Sequence, residues 1–265
     1  IYTNTAKNAE VTIQSREVDS FSNNVLKYTQ DGRLYRVTLS SGADILYNGK
    51  TAVYSPDLFL FTDKNGNRMD GSIRLVSSSG DNSYDSVFIE AYTNIFVGSI
   101  DYMNRIIYDH YGITQALDFG KDTEAVCEVK LPGDSEIYEF EDISTEMLVS
   151  AYISEDRKYA KVYLNEGSVT GTVDGYTEDE ISIDGKWYPV ANPLLPSLED
   201  KSLKLGETGV FYLDVQGKVA VLDNDETSDN YGFLMLADTS GGVDSTLQVK
   251  LLTAQNEIKE IGRAH

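Results

Sequence analysis

The sequence predicts a mainly-β chain: several small antiparallel modules of sandwich or open-barrel type, with very little helix. Three observations carry this. Apolar residues recur with period two, as in Leu247, Val249 and Leu251 against Gln248 and Lys250, the pattern of a sheet with one wet face. Dipeptides such as Asp31-Gly32, Asn48-Gly49 and Asp184-Gly185 punctuate those runs, and Gly accepts the positive φ that tight hairpin turns require. Tyrosine is abundant, 18 residues against one Trp, and Thr, Val and Ile are frequent, which suits pleated, half-buried surfaces better than helices.

Residues 1–112 read as an antiparallel β domain. Glu10 to Val18 alternates loosely, and Leu34 to Leu39 more cleanly, with Tyr35, Val37 and Leu39 opposite Arg36 and Thr38. Leu58 to Phe61 is a short apolar run, followed by a turn over Thr62 to Asn67 and a strand over Ser72 to Val76. After the polar loop Ser77 to Ser83 come three expected strands joined by short turns: Val87 to Tyr92, Ile95 to Ile100 and Arg105 to Tyr108.

Residues 113–165 read as a smaller β-rich module. Strands are expected over Glu124 to Leu131, Ile137 to Phe140 and Tyr159 to Leu164, with a Pro132-Gly133-Asp134 turn. Ser144 to Ala151 is the best helix candidate, with Ser144 as N-cap and acidic residues near its start; a loop followed by a strand is the alternative.

Residues 166–223 predict an SH3-like or OB-like barrel. Its strands are a short one before a polar turn, then Ile181 to Ile183, Lys186 to Val190, Gly209 to Asp214 and Lys218 to Leu222. Trp187 keeps the phase of Ile181 and Ile183, so a core position is expected. Pro189, Pro193 and Pro196 remove backbone donors and keep the following loop out of the sheet, while Leu194, Leu195 and Leu198 plug one end. Residues 224–265 read as an acidic linker, Asn224 to Asp229, and a hairpin of Tyr231 to Ala237 with Thr246 to Leu252. That hairpin completes an earlier sheet or belongs to a truncated unit. Two echoes in the same order, Asp31 to Val37 with Asp184 to Val190 and Phe59 to Gly66 with Val210 to Gly217, suggest two diverged copies of one β unit.

Charge narrows the function classes. Lys and Arg number 22 and Asp and Glu 43, a net charge of −21 that repels phosphate backbones and anionic headgroups. No nucleic acid is expected as partner. No apolar run approaches the roughly 18 to 20 residues of a membrane span, so no membrane insertion is expected. The chain starts mid-pattern at Ile1-Tyr2-Thr3 without a signal peptide and ends in Gly262-Arg263-Ala264-His265, and we expect a piece of a longer protein.

Motifs for chemistry are sparse. Cys127 alternates with Val129 and Leu131, the pattern of a buried, inert thiol. Asp63, Asn65 and Asn67 have calcium-loop spacing, but Arg68 stands where an EF-hand needs Gly and Arg74 where it needs Glu, so a polar hairpin is the better reading. Asp81 to Asp85 and Asp223-Asn224-Asp225 are weaker still. Zinc and a Ser-His-Asp triad would both depend on His110, a turn residue by its place after Tyr108-Asp109. A glycoside hydrolase would need two carboxylates beside a sugar platform built from tyrosines. Tyr92, Phe96, Tyr102, Tyr108 and Tyr111 could form a ligand face, but cross-strand pairing is the commoner role of such residues. The sequence assigns no catalytic, cofactor-binding or metal residue, and no cofactor.

A resemblance adds to this. Ile73-Arg74-Leu75-Val76, the loop Ser77 to Asp85, the strand Val87 to Tyr92 and the close Ile106-Ile107-Tyr108-Asp109 resemble a segment of Firmicutes cell-surface proteins that carry S-layer homology domains. Val169 to Val173, Ile181 to Tyr188, Leu205-Gly206-Glu207 and Phe211 to Asp214 resemble the small barrel that follows in those proteins. Ser77 and Ser79 stand where that family's loop carries Asp, leaving Asp81 and Asp85 of the acidic set. The resemblance implies an extracellular location on the bacterial surface and a non-catalytic structural or adhesive role, with other envelope proteins or wall glycans as partners. A carbohydrate- or protein-binding module is the alternative, predicting an exposed aromatic patch on a sheet face. A glycoside hydrolase-type domain with paired carboxylates is the second.

Overall fold

The computed structural model describes residues 10–62, 68–80, 83–112, 114–119, 126–195, 198 and 203–223, together with the backbone of three strands between 232 and 262. It is mainly β, as the period-two patterning predicts. β1 (Glu10–Gln14), β2 (Val18–Ser22), β3 (Val25–Gln30), β4 (Arg33–Tyr47), β5 (Lys50–Thr51), β6 (Asp70–Val76), β7 (Ser83–Asp101), β8 (Ile106–Asp109), β9 (Leu117–Asp118), β10 (Val126–Lys130), β11 (Leu148–Ile153) and β12 (Tyr159–Asn165) form one 12-stranded sheet. β13 (Ser168–Tyr176), β14 (Glu180–Ile183), β15 (Lys186–Pro189), β16 (Thr208–Leu213) and β17 (Val219–Asp223) form a second sheet, ordered β15-β14-β13-β16-β17. β18 (Gly232–Ser240), β19 (Thr246–Thr253) and β20 (Ile258–Gly262) form a third.

The 19-residue β7 organises the large sheet. The sequence reads it as two strands, but no Gly or Pro interrupts Tyr92-Thr93-Asn94, and the chain continues extended. Along one edge β7 pairs in parallel with β4 up to Tyr47↔Ile89, then antiparallel with β11 from Ala151↔Thr93. On the other edge it pairs with β6 up to Asp70↔Tyr92, then with β8 from Val97↔Asp109.

Both edges change partner at the same place, and side chains bridge the gaps. Asn48 Nδ2 donates to Ala91 O and Ile153 O, both at 2.8 Å, while Ala91 N donates to Asn48 Oδ1 at 2.9 Å. Opposite, Thr114 Oγ1 donates to Asn94 O at 3.2 Å and Phe96 N to Asp109 Oδ1 at 3.3 Å. The backbone groups of β7 thus stay satisfied across the switch, as buried amides must be.

Two cores lie along the odd-numbered face of β7. Val87, Ile89 and Ala91 join Ile13, Leu26, Ile45 and Leu75. Ile95 and Val97 join Ile107, Val129, Val149 and Val162. The apolar clusters therefore divide within β7 near Thr93, not at Gly112. A third core, with Val173, Ile181, Ile183, Phe211 and Val219, fills the second sheet, and Leu194, Leu195 and Leu198 close it as expected. A small cluster of Phe96, Leu148, Ala191 and Ala220 seats that unit on the even-numbered face of β7.

Several expectations need correction. The 166–223 unit is not a closed barrel: its end strands meet only through a single bridge, Val190↔Val219. Ser144 to Ala151 is a loop and then β11, because Leu148 and Val149 fill a slot between β7 and β12 and their backbone pairs on both sides. Ile137 to Phe140 makes one bridge, Val129↔Tyr138, before a 3-10 turn at Phe140–Asp142. Leu58 and Phe59 lie in another 3-10 turn, Pro56–Phe59, and Leu60 and Phe61 in no strand, whereas Val210 to Leu213, the expected echo of Phe59 to Thr62, lies in β16, so that echo is not matched in structure there. Among the described residues the strand pairings β4 with β7 and β10 with β12 are parallel, as is the single bridge Val190↔Val219.

Trp187 is 49% exposed rather than in the core. The two-residue Asp184-Gly185 turn pairs Ile183 with Lys186 and Ser182 with Trp187, so parity reverses across the turn and Trp187 lands on the face opposite Ile181. It covers Gly175 there. The hairpin expected near residues 231–252 gains a third strand and pairs only within its own sheet, so it completes no earlier one. The linker residues 224–229 and the loop residues 63–67, 81 and 82 lie outside the described residues.

Candidate functional site

Two places concentrate polar chemistry. The first is a buried joint where the second sheet sits on β7. Asp70 opens β6, Asp214 follows β16, Lys218 precedes β17 and Asn192 lies in the 3-10 turn Asn192–Leu194; all four are buried. Lys218 Nζ donates to Asp70 Oδ1 at 2.7 Å, and Asn192 N donates to Asp70 Oδ2 at 2.8 Å. Asp214 Oδ2 accepts from Tyr92 OH at 2.8 Å and Asn94 Nδ2 at 3.1 Å, while its Oδ1 accepts from the backbone of Gln216 and Lys218, both at 2.9 Å.

The network continues through Ser150 Oγ, which donates to Asn94 Oδ1 at 2.6 Å and accepts from Asn165 Nδ2 at 2.9 Å. At its rim Arg16 donates to Val190 O at 2.8 Å and to Asp179 Oδ2 at 3.0 Å. The large sheet and the second sheet are therefore tied together, through Asp70, Asp214 and Arg16, by charge-assisted bonds, the stronger class of hydrogen bond. Burial pushes the Asp70 carboxyl above its ordinary range, against the pull of the Lys218 ammonium. Burial, then the Asp214 carboxylate, raises the Tyr92 hydroxyl strongly. Asn165 Oδ1 and Asn192 Oδ1 are buried without a hydrogen-bond partner, but both carboxylates and the Lys218 ammonium are paired within the protein, so the joint reads as a fastening.

The second place is a groove on the outer face of the large sheet. In β12 Tyr159, Lys161 and Tyr163 alternate with buried Ala160, Val162 and Leu164, so the first three face outward. Register then assembles the rest. β10 sets Glu128 beside Lys161 and Lys130 beside Tyr163, and β11 sets Tyr152 opposite Lys161. Glu90 of β7 and the Asn48–Lys50 turn complete a cavity of about 400 Å³. Tyr152 and Tyr163 meet edge to face with centroids 5.8 Å apart, and Lys50 Nζ stands 4.8 Å from the Tyr159 ring centroid. Lys130 Nζ lies 2.9 Å from Glu128 Oε2. That hydrogen bond holds the Glu128 carboxyl below its ordinary range, and burial, then Glu128, raises the Tyr159 hydroxyl.

The residues weighed in the sequence fall elsewhere. Asp70, at the end of the calcium-like run, is committed to Lys218. Asp85 accepts from Ser78. No group of three or more His, Cys, Asp or Glu converges among the described residues. His110 is exposed, its ring edge-on to Phe96 and Tyr111. Tyr92 and Phe96 are buried, and Tyr111 stacks on Phe96 and donates to Asp223 at 2.9 Å. The aromatic face is instead Tyr152, Tyr159 and Tyr163, whose signal was the Tyr-x-Lys-x-Tyr alternation in β12. Glu90 and Glu128 flank it from strands β7 and β10, separated by β11 and β12. Three strand spacings place their backbones roughly 14 Å apart. The chain matches no protein-family model, and no curated protein or solved structure is significantly similar to it.

Proposed function

We propose that this chain is a non-catalytic structural or adhesive segment of a bacterial cell-surface protein of the S-layer-associated kind. One observation supports this most: a single strand, β7, serves two apolar cores without a linker, and the buried joint fastens a third unit onto it. Such construction resists relative motion of the units, whereas inter-domain sites built for catalysis usually need hinges. The strongly acidic surface fits exposure to a cation-rich wall.

Protease shaving of intact cells that produce the full-length protein tests the location. Release of peptides from residues 10–223 before lysis is the expected outcome; release only after lysis overturns the proposal. Pulling the chain by its ends tests the mechanics. Residues 10–223 should unfold in one or two large steps, and a ladder of three small low-force steps would refute a rigid spacer.

A further inference from the structure

We propose that the groove over β10, β12 and β11 is a binding site for an acidic saccharide, a sugar chain bearing carboxylates. The inference is independent of the cellular location proposed above and rests on three features of the groove.

The first is the aromatic surface. Tyr159 and Tyr163 are partly exposed on one face of the sheet, four residues apart on one strand with Lys161 between them, which sets them about 13 to 14 Å apart along it. The C–H face of a pyranose ring packs on such rings, and tyrosine gives contact area at low entropic cost with a hydroxyl at its rim. No ring contact joins Tyr159 to Tyr163, whereas Tyr152 rests on both Tyr92 and Tyr163 and braces the floor.

The second is charge. The chain carries −21, yet this groove gathers Lys50, Lys161 and Lys130 against Glu90 and Glu128. Glu128 is neutralised by Lys130. Neither Lys50 nor Lys161 has a carboxylate within 4 Å among the described residues, although Lys161 lies beside Glu128 across the strands, so both ammonium groups can still take an anion. Local cationic charge in an otherwise acidic surface focuses an anionic ligand onto this spot.

The third is shape. The lining is mostly polar, without the deep apolar pocket that an anchoring peptide side chain needs. The edge strand β10 is already bridged at Val129 by Tyr138, so addition of a peptide strand is obstructed there. An extended, hydroxylated ligand lying across strands fits better than a peptide. The Asn48 amide is spent on the Ala91 and Ile153 backbone, so it sets the wall and leaves recognition to the tyrosines and lysines.

Calorimetric titration of the intact chain with oligogalacturonate tests this, with a neutral cello-oligosaccharide and a poly-glutamate peptide of similar length as comparators. Oligogalacturonate should bind, weakening more than tenfold in Tyr159→Ala and in Lys161→Gln, and several-fold on raising salt. Lys161→Gln keeps the stem of the side chain, so its loss of binding is not a loss of fold; circular dichroism confirms that for each variant. Absence of binding to oligogalacturonate and to a hyaluronan oligosaccharide overturns the site. Equal binding of the neutral sugar overturns the role of the lysines, and equal binding of poly-glutamate makes the groove a peptide site.

Discussion

Lys218 and Asp70, 148 residues apart in sequence, meet at 2.7 Å where the second sheet rests on the first. Asp70 is 1% exposed and Lys218 9%, so each charge is viable there mainly because of the other. Desolvation of two buried ions cancels much of their attraction, but removing one leaves the other stranded. Asp70→Leu or Lys218→Met alone should therefore cost about 3 to 5 kcal/mol, while the two combined should return most of that loss. Urea unfolding of the two single variants and the double variant measures the coupling. Strict additivity of the single losses would show that the contact does not hold the joint.

Asn48 is the second fastening. Its amide makes three bonds to the backbones of Ala91 and Ile153, and its φ of 48° suits the Asn-Gly turn. Asn48→Gly keeps that backbone freedom and removes only the amide, leaving Ala91 N–H and two carbonyls without those partners. A loss of about 2 to 4 kcal/mol follows from the usual cost of unsatisfied buried groups. Hydrogen exchange at the Ala91 amide should accelerate more than at Ile73, deep in the first core. Uniform acceleration across both would mean that Asn48 stabilises the whole fold without guarding the switch between partner strands.

What the sequence discloses is local. Turn chemistry at Asp31-Gly32, Asn48-Gly49 and Asp184-Gly185 is legible because a positive φ restricts residue type, and all three turns have it. Alternation in β12, β16 and β19 is legible for the same kind of reason. Long-range partnership is not. Nothing local distinguishes Thr93-Asn94 within a continuous strand from a turn, because Asn94 is kept extended by Ser150 and Asp214 from distant strands. Ser144 to Ala151 has helical capping chemistry, yet pairing on both sides of β11 overrides it. The groove was half legible: Tyr159, Lys161 and Tyr163 declare an outward face, but Tyr152, Glu90 and Lys50 join it only through register. Asp70 and Lys218 look like two ordinary surface charges among 65 until the fold buries them together.

Cys127 should be slow to react. Burial pushes its thiol up to about 11, with the Arg105 charge working the other way. At pH 8 a thiol of that pKa is roughly one part in a thousand thiolate, and thiolate is the reactive form. Reaction with a disulfide reagent should be at least tenfold slower in the folded chain than in the denatured chain. Comparable rates would place the thiol in solvent and open the second core at β10.

Alkaline pH should weaken the fold through its buried tyrosines. Burial, then Glu155, pushes the Tyr47 hydroxyl to about 12; burial, then Asp214, raises Tyr92, and burial, then Glu90, raises Tyr152. In the unfolded chain these groups lose their protons near pH 10. Above that pH the folded state holds more protons than the unfolded one, so their contribution is complete below pH 10 and falls as pH rises toward the folded values. Each tyrosine adds a slope of up to about 1.4 kcal/mol per pH unit in that window. Urea unfolding at several pH values from about 8 to 11 should give stability that is flat at first and then falls steeply. Tyr92→Phe removes one of the titrating groups and should make the fall shallower by close to one proton, although at pH 8 it costs about 1 to 2 kcal/mol through the bond lost by Asp214. An unchanged slope in that variant would mean that Tyr92 ionises in the folded joint as readily as in water, which its bond to Asp214 Oδ2 at 2.8 Å opposes.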